Sequence, residues 1–443
     1  MRLSRSTLCL GVSVLITSCV ALAVPAAAAA NWPNWRGPGG QGHADDARVP
    51  LTWGESEHLL WRTPLPGRGN SSPVVWGDRV FLTAAGAGGR ERYVLCVRAG
   101  DGKVLWQRLA ARTPDPGQAH AWNGHASASC TTDGKHVYAF FGTPGLFCYD
   151  LAGRLVWKHT FGIFTSERGW GTAASPLVYE GLVIQNCDND GPLALPRGHR
   201  PDEAAPMALV ALDKLTGKVR WSARRDQGRG FGTPVVVTTA RGRTDLVLNG
   251  PHGVWAYDPQ SGKEIWHSDR HGEGDQESNT GRFGEPMPVH NADTLFAQSG
   301  RPGPFQAILL GATGAVPASA LRWQVVRRGH RDIASPIIWG DALYAADNKG
   351  MLTCYDLRNG KVVYEVRLPG KAVASPVAVR GHLLFILDNG ITIVLQPGRR
   401  FHEVGRNKLG EGDPLDFLAS PAVAGGRLFL RSRSVLYCVG QKE

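Results

Sequence analysis

The sequence predicts an all-β fold, an eight-bladed β-propeller of four-stranded antiparallel blades closed into a single ring. Three observations carry that prediction. A unit of small residue, Pro, apolar run, turn, apolar run and D-x-x-x-G-K-x-x-W recurs along the 443 residues. The Pro-equivalent positions 73, 128, 176, 234, 288, 336, 376 and 421 lie 40 to 58 residues apart, which is the period of a propeller blade. Helical periodicity is almost absent, and a fourth-strand sequence without a blade of its own precedes the first copy.

Within a unit the first two strands are short apolar runs broken by Gly-Asp, as in Pro73–Trp76 and Val80–Thr83, a pattern that suits a tight hairpin. The third strand, Val94–Val97 or Leu352–Tyr355, ends in Asp and a turn containing Gly. There the Asp side chain caps turn amides and the Gly takes positive φ. The fourth carries Trp106, Trp157, Trp221, Trp266 or Trp323, with Tyr364 substituting once, and is read as packing between neighbouring sheets. The weaker copies begin at Ser127, Ser175, Thr233, Met287 and Ser420.

The last copy stops after its third strand, Val435–Val439. The sequence Leu60–Leu65 supplies the missing fourth, so a strand at about 59–65 closes the ring and leaves no open edge. The domains are then 1–30, a signal peptide; 31–58, an irregular arm rich in Trp, Gly and Pro; and 59–440, the propeller.

Arg2, Arg5, the apolar stretch Leu8–Val24 and the alanine run to Ala30 form an export signal. Cleavage after Ala30 is the preferred reading; the rival is acylation of Cys19 in the box Ile16-Thr17-Ser18-Cys19. Either places the protein in the periplasm or outside the cell, with no transmembrane segment in the mature chain. Cys96, Cys148, Cys354 and Cys438 share a third-strand slot held by Ala211 and Ala256 in other copies, which marks them as small buried fillers. Cys130 and Cys187 fall outside that pattern. No Cys/His spacing for zinc appears, so no metal site is expected. The net charge of +11, or +9 without the two leader arginines, comes mostly from scattered Arg. Acidic partners such as an acidic protein, an anionic glycan or a lipid surface fit that balance. Nucleic acid does not, for want of a binding motif.

In a propeller the connections from each outer strand to the next inner strand converge on one funnel, the default ligand site. These loops supply Arg68, Asn70, Trp122, His125, Arg168, Trp170, Arg229, Arg282, His330, Arg331, Asp332, Lys371 and Asp416. Residues 187–207 and 270–285 add two long loops to that face. Asp188-Asn189-Asp190-Gly191 lacks the later spacing of a calcium loop and is read as a turn. No nucleophile elbow, zinc helix motif or phosphate loop is present, so no catalytic residue is assigned.

The complete motif A-x-D-x-x-T-G-x-x-x-W at Ala211–Trp221, repeated almost intact at Ala256–Trp266, resembles the pyrroloquinoline quinone (PQQ) repeat. The opening Trp32-Pro33-Asn34-Trp35-Arg36-Gly37-Pro38, followed by Leu65–Pro73, is similar to exported members compared with the outer-membrane assembly factor BamB. The resemblance implies one of two functions. BamB-like members are non-enzymatic scaffolds that bind other envelope proteins, without a cofactor. The family's quinoprotein dehydrogenases hold PQQ with calcium and use an Asp base, a role that Asp332 or Asp416 would take here. The adjacent cysteines of the family's alcohol dehydrogenases are missing from this chain. The scaffold is the expected function, with Arg168, Trp170, Arg282 and Arg331 as its contacts. A quinoprotein with an atypical site, or a glycan binder stacking sugars on Trp122 and Trp170, is the alternative.

Overall fold

The computed structural model describes residues 31–44, 48–166, 169–225, 228–269, 284–300, 303–327, 331–413 and 416–442. The leader 1–30, with Cys9 and Cys19, lies outside them. Eight sheets form the ring. Blades 1 to 7 span Val74–Arg112, Thr131–His159, Leu177–Arg224, Val235–Ser268, Val289–Arg327, Ile337–Arg367 and Val377–Lys408. Blade 8 combines Ala422–Gly440 with Leu59–Pro64, which pairs antiparallel with Val435–Gly440 and closes the ring as the orphan sequence predicts. No helix among the described residues is long and apolar enough to cross a membrane.

Two repeated bonds explain why the repeat residues recur. The first joins five of the outer strands to the next blade. The indoles of Trp61, Trp106, Trp157, Trp221 and Trp323 donate to the carbonyls of Ala99, Leu151, Lys214, Pro259 and Leu357, at 2.9–3.2 Å. Each ring lies so close to that turn's glycine that a Cβ on Gly102, Gly153, Gly217, Gly262 or Gly360 would sit 2.4–2.7 Å from it. Opposite each of these Trp residues within its own sheet stands a small residue: Cys438, Cys96, Cys148, Ala211 and Ala307 in turn. The cysteine slot is therefore set by the bulk facing it. All six described cysteines are buried and free. Trp266 differs, donating to Asp245 at 2.8 Å in its own blade. The next blade there carries a longer connection, whose Gly314–Ala315 pairs parallel with Glu264–Ser268.

The second bond runs around the channel. The backbone N–H at the head of one inner strand donates to the hydroxyl at the head of the next: Ser72 to Ser129, Ser129 to Ser175, Ser175 to Thr233, Ser335 to Ser375, Ser375 to Ser420 and Ser420 to Ser72. Met287 donates to Ser335, but it offers no hydroxyl to Thr233. The circle is interrupted at Met287, whose Sδ instead lies 3.0 Å from where a Cβ on Gly40 would stand. This ring also corrects the start of the second unit. Ser129 is the true counterpart of Ser72, so Cys130, not Ala128, occupies the proline slot.

The arm 31–44 crosses the channel. Trp32 pairs with Val75 of blade 1, and Pro33 accepts the Thr132 N–H of blade 2 at 2.8 Å. Gln41 accepts from His290 of blade 5 at 3.0 Å, and Arg36 donates to Pro336 of blade 6 at 2.8 Å. His43–Ala44 adds a parallel strand to the inner edge of blade 7. Trp35 stands at the centre and donates to Ser420 at 3.2 Å. Tied to so many blades, the arm forms a floor to the channel.

Candidate functional site

Above that floor lies a cavity of about 150 Å³. Its wall is the hydroxyl ring, from Ser72, Ser129, Ser175, Thr233 and Ser420, with Ala173, Ile333, Val373 and Leu418 between. Its mouth is formed by Asn70, Trp122, Asn123, Trp170, Phe231, Glu285 and Arg331, all from the outer-to-inner connections. The Arg331 guanidinium sits 5.0 Å from the Trp122 ring centre and 5.1 Å from that of Trp170, a double cation–π contact. His120 stacks on Trp170 with ring centres 3.6 Å apart. The Lys371 ammonium approaches Trp122 at 5.8 Å. Two hydrogen bonds fix the cluster: the His120 backbone N–H donates to the Gly169 carbonyl at 2.9 Å, and the Asn123 side-chain amide donates to the Trp170 carbonyl.

Of the residues expected at the funnel, Asn70, Trp122, Trp170 and Arg331 come together here, with Lys371 at the rim. Arg68 and His125 line a neighbouring groove. Arg229 is held by Asp190 at 3.0 Å. The Asp416 carboxylate accepts the Arg433 backbone N–H at 3.2 Å. Arg168, Arg282 and His330 lie outside the described residues.

Asp332 is corrected as a candidate base. It is 2% exposed and forms a two-pronged ion pair with Arg327, at 2.9 Å for both bonds. Arg331 and Ile333 line the cavity, whereas the intervening Asp332 turns into the blade. The same device recurs where Arg225 meets Asp188 at 3.1 Å and the Tyr257 hydroxyl at 2.8 Å. Arg331 lies against both Trp122 and Trp170, and His120 stacks on Trp170, so part of the ring surface on which a sugar would stack is already occupied. Trp35 as the floor and the hydroxyl ring as the wall were not anticipated. The Ser at the head of most units was the available signal for the ring; nothing in the arm's sequence fixes where it packs.

A calcium-bound PQQ fits this cavity poorly. No group of three His, Cys, Asp or Glu among the described residues is placed to hold a metal. The volume also falls below the roughly 300–1,000 Å³ of typical small-molecule sites.

Burial sets the histidines of this region. Desolvation lowers the pKa of His120 and His125, with the charges of Arg331 and Arg92 adding to it, and burial also lowers His159 and His290. The fold therefore favours the neutral rings. The stability this contributes is complete above the ordinary histidine pKa of about 6.5 and is lost as pH falls through the lowered values. Melting temperature should fall between about pH 7 and 5, a range above most carboxylate titrations. His120→Gln together with His125→Gln should flatten that dependence, and an unchanged slope would exclude these two rings as its source.

The family model described as "Outer membrane protein assembly factor BamB" matches residues 51–117, 90–308 and 312–434. No curated protein matches the sequence. Among solved structures, the BamB of Moraxella catarrhalis is 15% identical with a TM-score of 0.58, over 87% of this chain and 98% of that one. A quinohemoprotein alcohol dehydrogenase, ADHIIG of Pseudomonas putida HK5, is 12% identical with a TM-score of 0.61, over 94% and 81%. The computationally designed Ika8 protein is 12% identical with a TM-score of 0.53, over 86% and 99%. At such identities the likeness is one of fold, shared by an assembly factor, an enzyme and a design.

Proposed function

This chain belongs to the PQQ-like propeller family described as outer membrane protein assembly factor BamB, and on that premise we propose that it is an exported, non-enzymatic scaffold that binds other envelope proteins. Export is inferred from the leader at 1–30. The observation that carries the binding role is the cluster at the channel mouth, where Trp122 and Trp170 hold Arg331 between them. Trp and Arg dominate the energetics of protein interfaces, and anchors ordered before binding lose less entropy on contact. The cavity beneath is small and lined by Trp35, so a partner would engage the rim rather than enter the channel.

The test compares two forms of the mature protein, wild type and Trp170→Ala/Arg331→Glu, as bait for detergent-solubilised envelope proteins. A defined set of proteins retained by the wild type should be missing from the variant at equal fold content. An identical set on both would remove the cluster from the interface, and no retention on either would end the scaffold proposal. Titration with PQQ, with and without calcium, tests the enzymatic alternative through Trp fluorescence. Saturable, calcium-dependent quenching would overturn the non-enzymatic reading.

A further inference from the structure

Beside the mouth lies a separate groove of about 620 Å³, between the connection closing blade 8, the hairpin at Gly86–Gly89 of blade 1 and the loop 117–125. It shares Asn70 and Asn123 with the central cavity. Ala87, Gly88 and Gly89 take positive φ, so this hairpin presents backbone instead of bulky side chains and leaves the groove open.

Its charge is one-sided. Arg68 and Arg433 line it, and no Asp or Glu does. Two further guanidiniums stand behind the wall. Arg92, 3% exposed, lies next to His125 and has no hydrogen-bond partner for Nε or Nη1. Arg431, 1% exposed, has none for Nε or Nη2, and its Nη2 lies 2.6 Å from where a Cβ on Gly69 would stand. Burial lowers their pKa to about 10 and about 9. The nearest carboxylates already have partners, and the charge of Asp416 acts on the Arg433 guanidinium. Glu91 engages the Tyr93 hydroxyl and Arg112, and Asp416 accepts the Arg433 amide. A walled concavity whose charged lining residues are both cationic focuses its field on whatever enters.

We propose that this groove is the docking site for an acidic peptide segment of the protein's partner, carboxylates toward Arg68 and Arg433. The proposal rests on the scaffold reading and names the chemistry of what the scaffold grips. Guanidinium forks match planar carboxylates two bonds at a time. The groove's volume falls within the roughly 300–1,000 Å³ of binding pockets and exceeds what a lone anion needs. Its position beside Trp122 and Trp170 lets one partner occupy both.

Fluorescence polarisation with labelled hexaglutamate tests this directly. The wild type should bind saturably and weaken as salt rises from about 50 to 300 mM. Arg68→Glu/Arg433→Glu should weaken binding by about tenfold or more. Lys263→Glu/Lys361→Glu, an equal charge change on exposed turns of blades 4 and 6, should leave it nearly unchanged. Equal losses in both variants, or no saturable binding by wild type, would overturn the proposal. So would preferential, Arg68/Arg433-dependent binding of phosphatidylglycerol vesicles, which would assign the groove to a lipid surface. If hexaglutamate fails while capture still depends on Trp170 and Arg331, the groove inference falls and the scaffold stands. If capture itself is absent, the scaffold reading falls.

Discussion

Replacing Asp332 with Asn is expected to lower the unfolding free energy by about 3–5 kcal/mol, because it strips a buried guanidinium of its carboxylate. The Arg327–Asp332 pair is almost fully enclosed, with both partners' side chains 3% exposed, and the guanidinium also donates to Tyr355 and lies 5.4 Å from that ring's centre. Burial alone would lower the Arg327 pKa, but the charge of Asp332 and the Tyr355 hydroxyl more than offset it, and the pKa rises. Removing both charges is different. Arg327→Met/Asp332→Leu should recover most of the loss, since apolar replacement of a whole buried pair is often close to neutral. Guanidinium denaturation of the three proteins measures this. If Asp332→Asn unfolds at the wild-type midpoint, the pair is not structural, and Asp332 returns as a candidate for chemistry.

Arg331 and Asp332 also show what the sequence made legible and where it stopped. The repeat disclosed the ring, its closure by Leu59–Pro64, and which connections reach the funnel, so Trp122, Trp170 and Arg331 could be placed at one mouth. It could not disclose side-chain direction. In an extended segment alternate residues face opposite ways, and no pattern says whether Arg331 or Asp332 faces the channel. The answer depends on Arg327 and Tyr355, the latter 23 residues away in the next blade. The second unit shows a similar limit. Ala126-Ser127-Ala128-Ser129 is small throughout and contains no Pro, so its register was settled only by the hydroxyl bonds of Ser72 and Ser175. The arm has no repeat to align, and its course across six blades emerges from the pairings of Trp32 and His43–Ala44 and from single hydrogen bonds of Pro33, Trp35, Arg36 and Gln41.

Gly217→Val should destabilise the fold by about 2–4 kcal/mol, combining left-handed strain of about 1–2 kcal/mol with disrupted packing of a large ring. Gly217 holds φ at +70°, and a Cβ there would meet the Trp157 ring at 2.7 Å. Neither cost can be relieved alone. The turn is pinned by Asp213, whose carboxylate accepts the Leu215 and Thr216 amides and the Thr216 hydroxyl at 3.0–3.1 Å, contacts that hold its pKa below the usual range. The indole is pinned by its bond to Lys214 at 3.0 Å. Gly340→Val serves as the control. It has a similar φ of +59° but nothing within 4 Å of its Cβ, so it should show the strain without the clash. The difference between the two variants measures the contact between blades 2 and 3. If both lose equal stability, the glycine of the repeat serves only its turn. A larger loss at Gly217 means that one residue both shapes the turn and seats the neighbouring blade's tryptophan, which accounts for Gly and Trp recurring together.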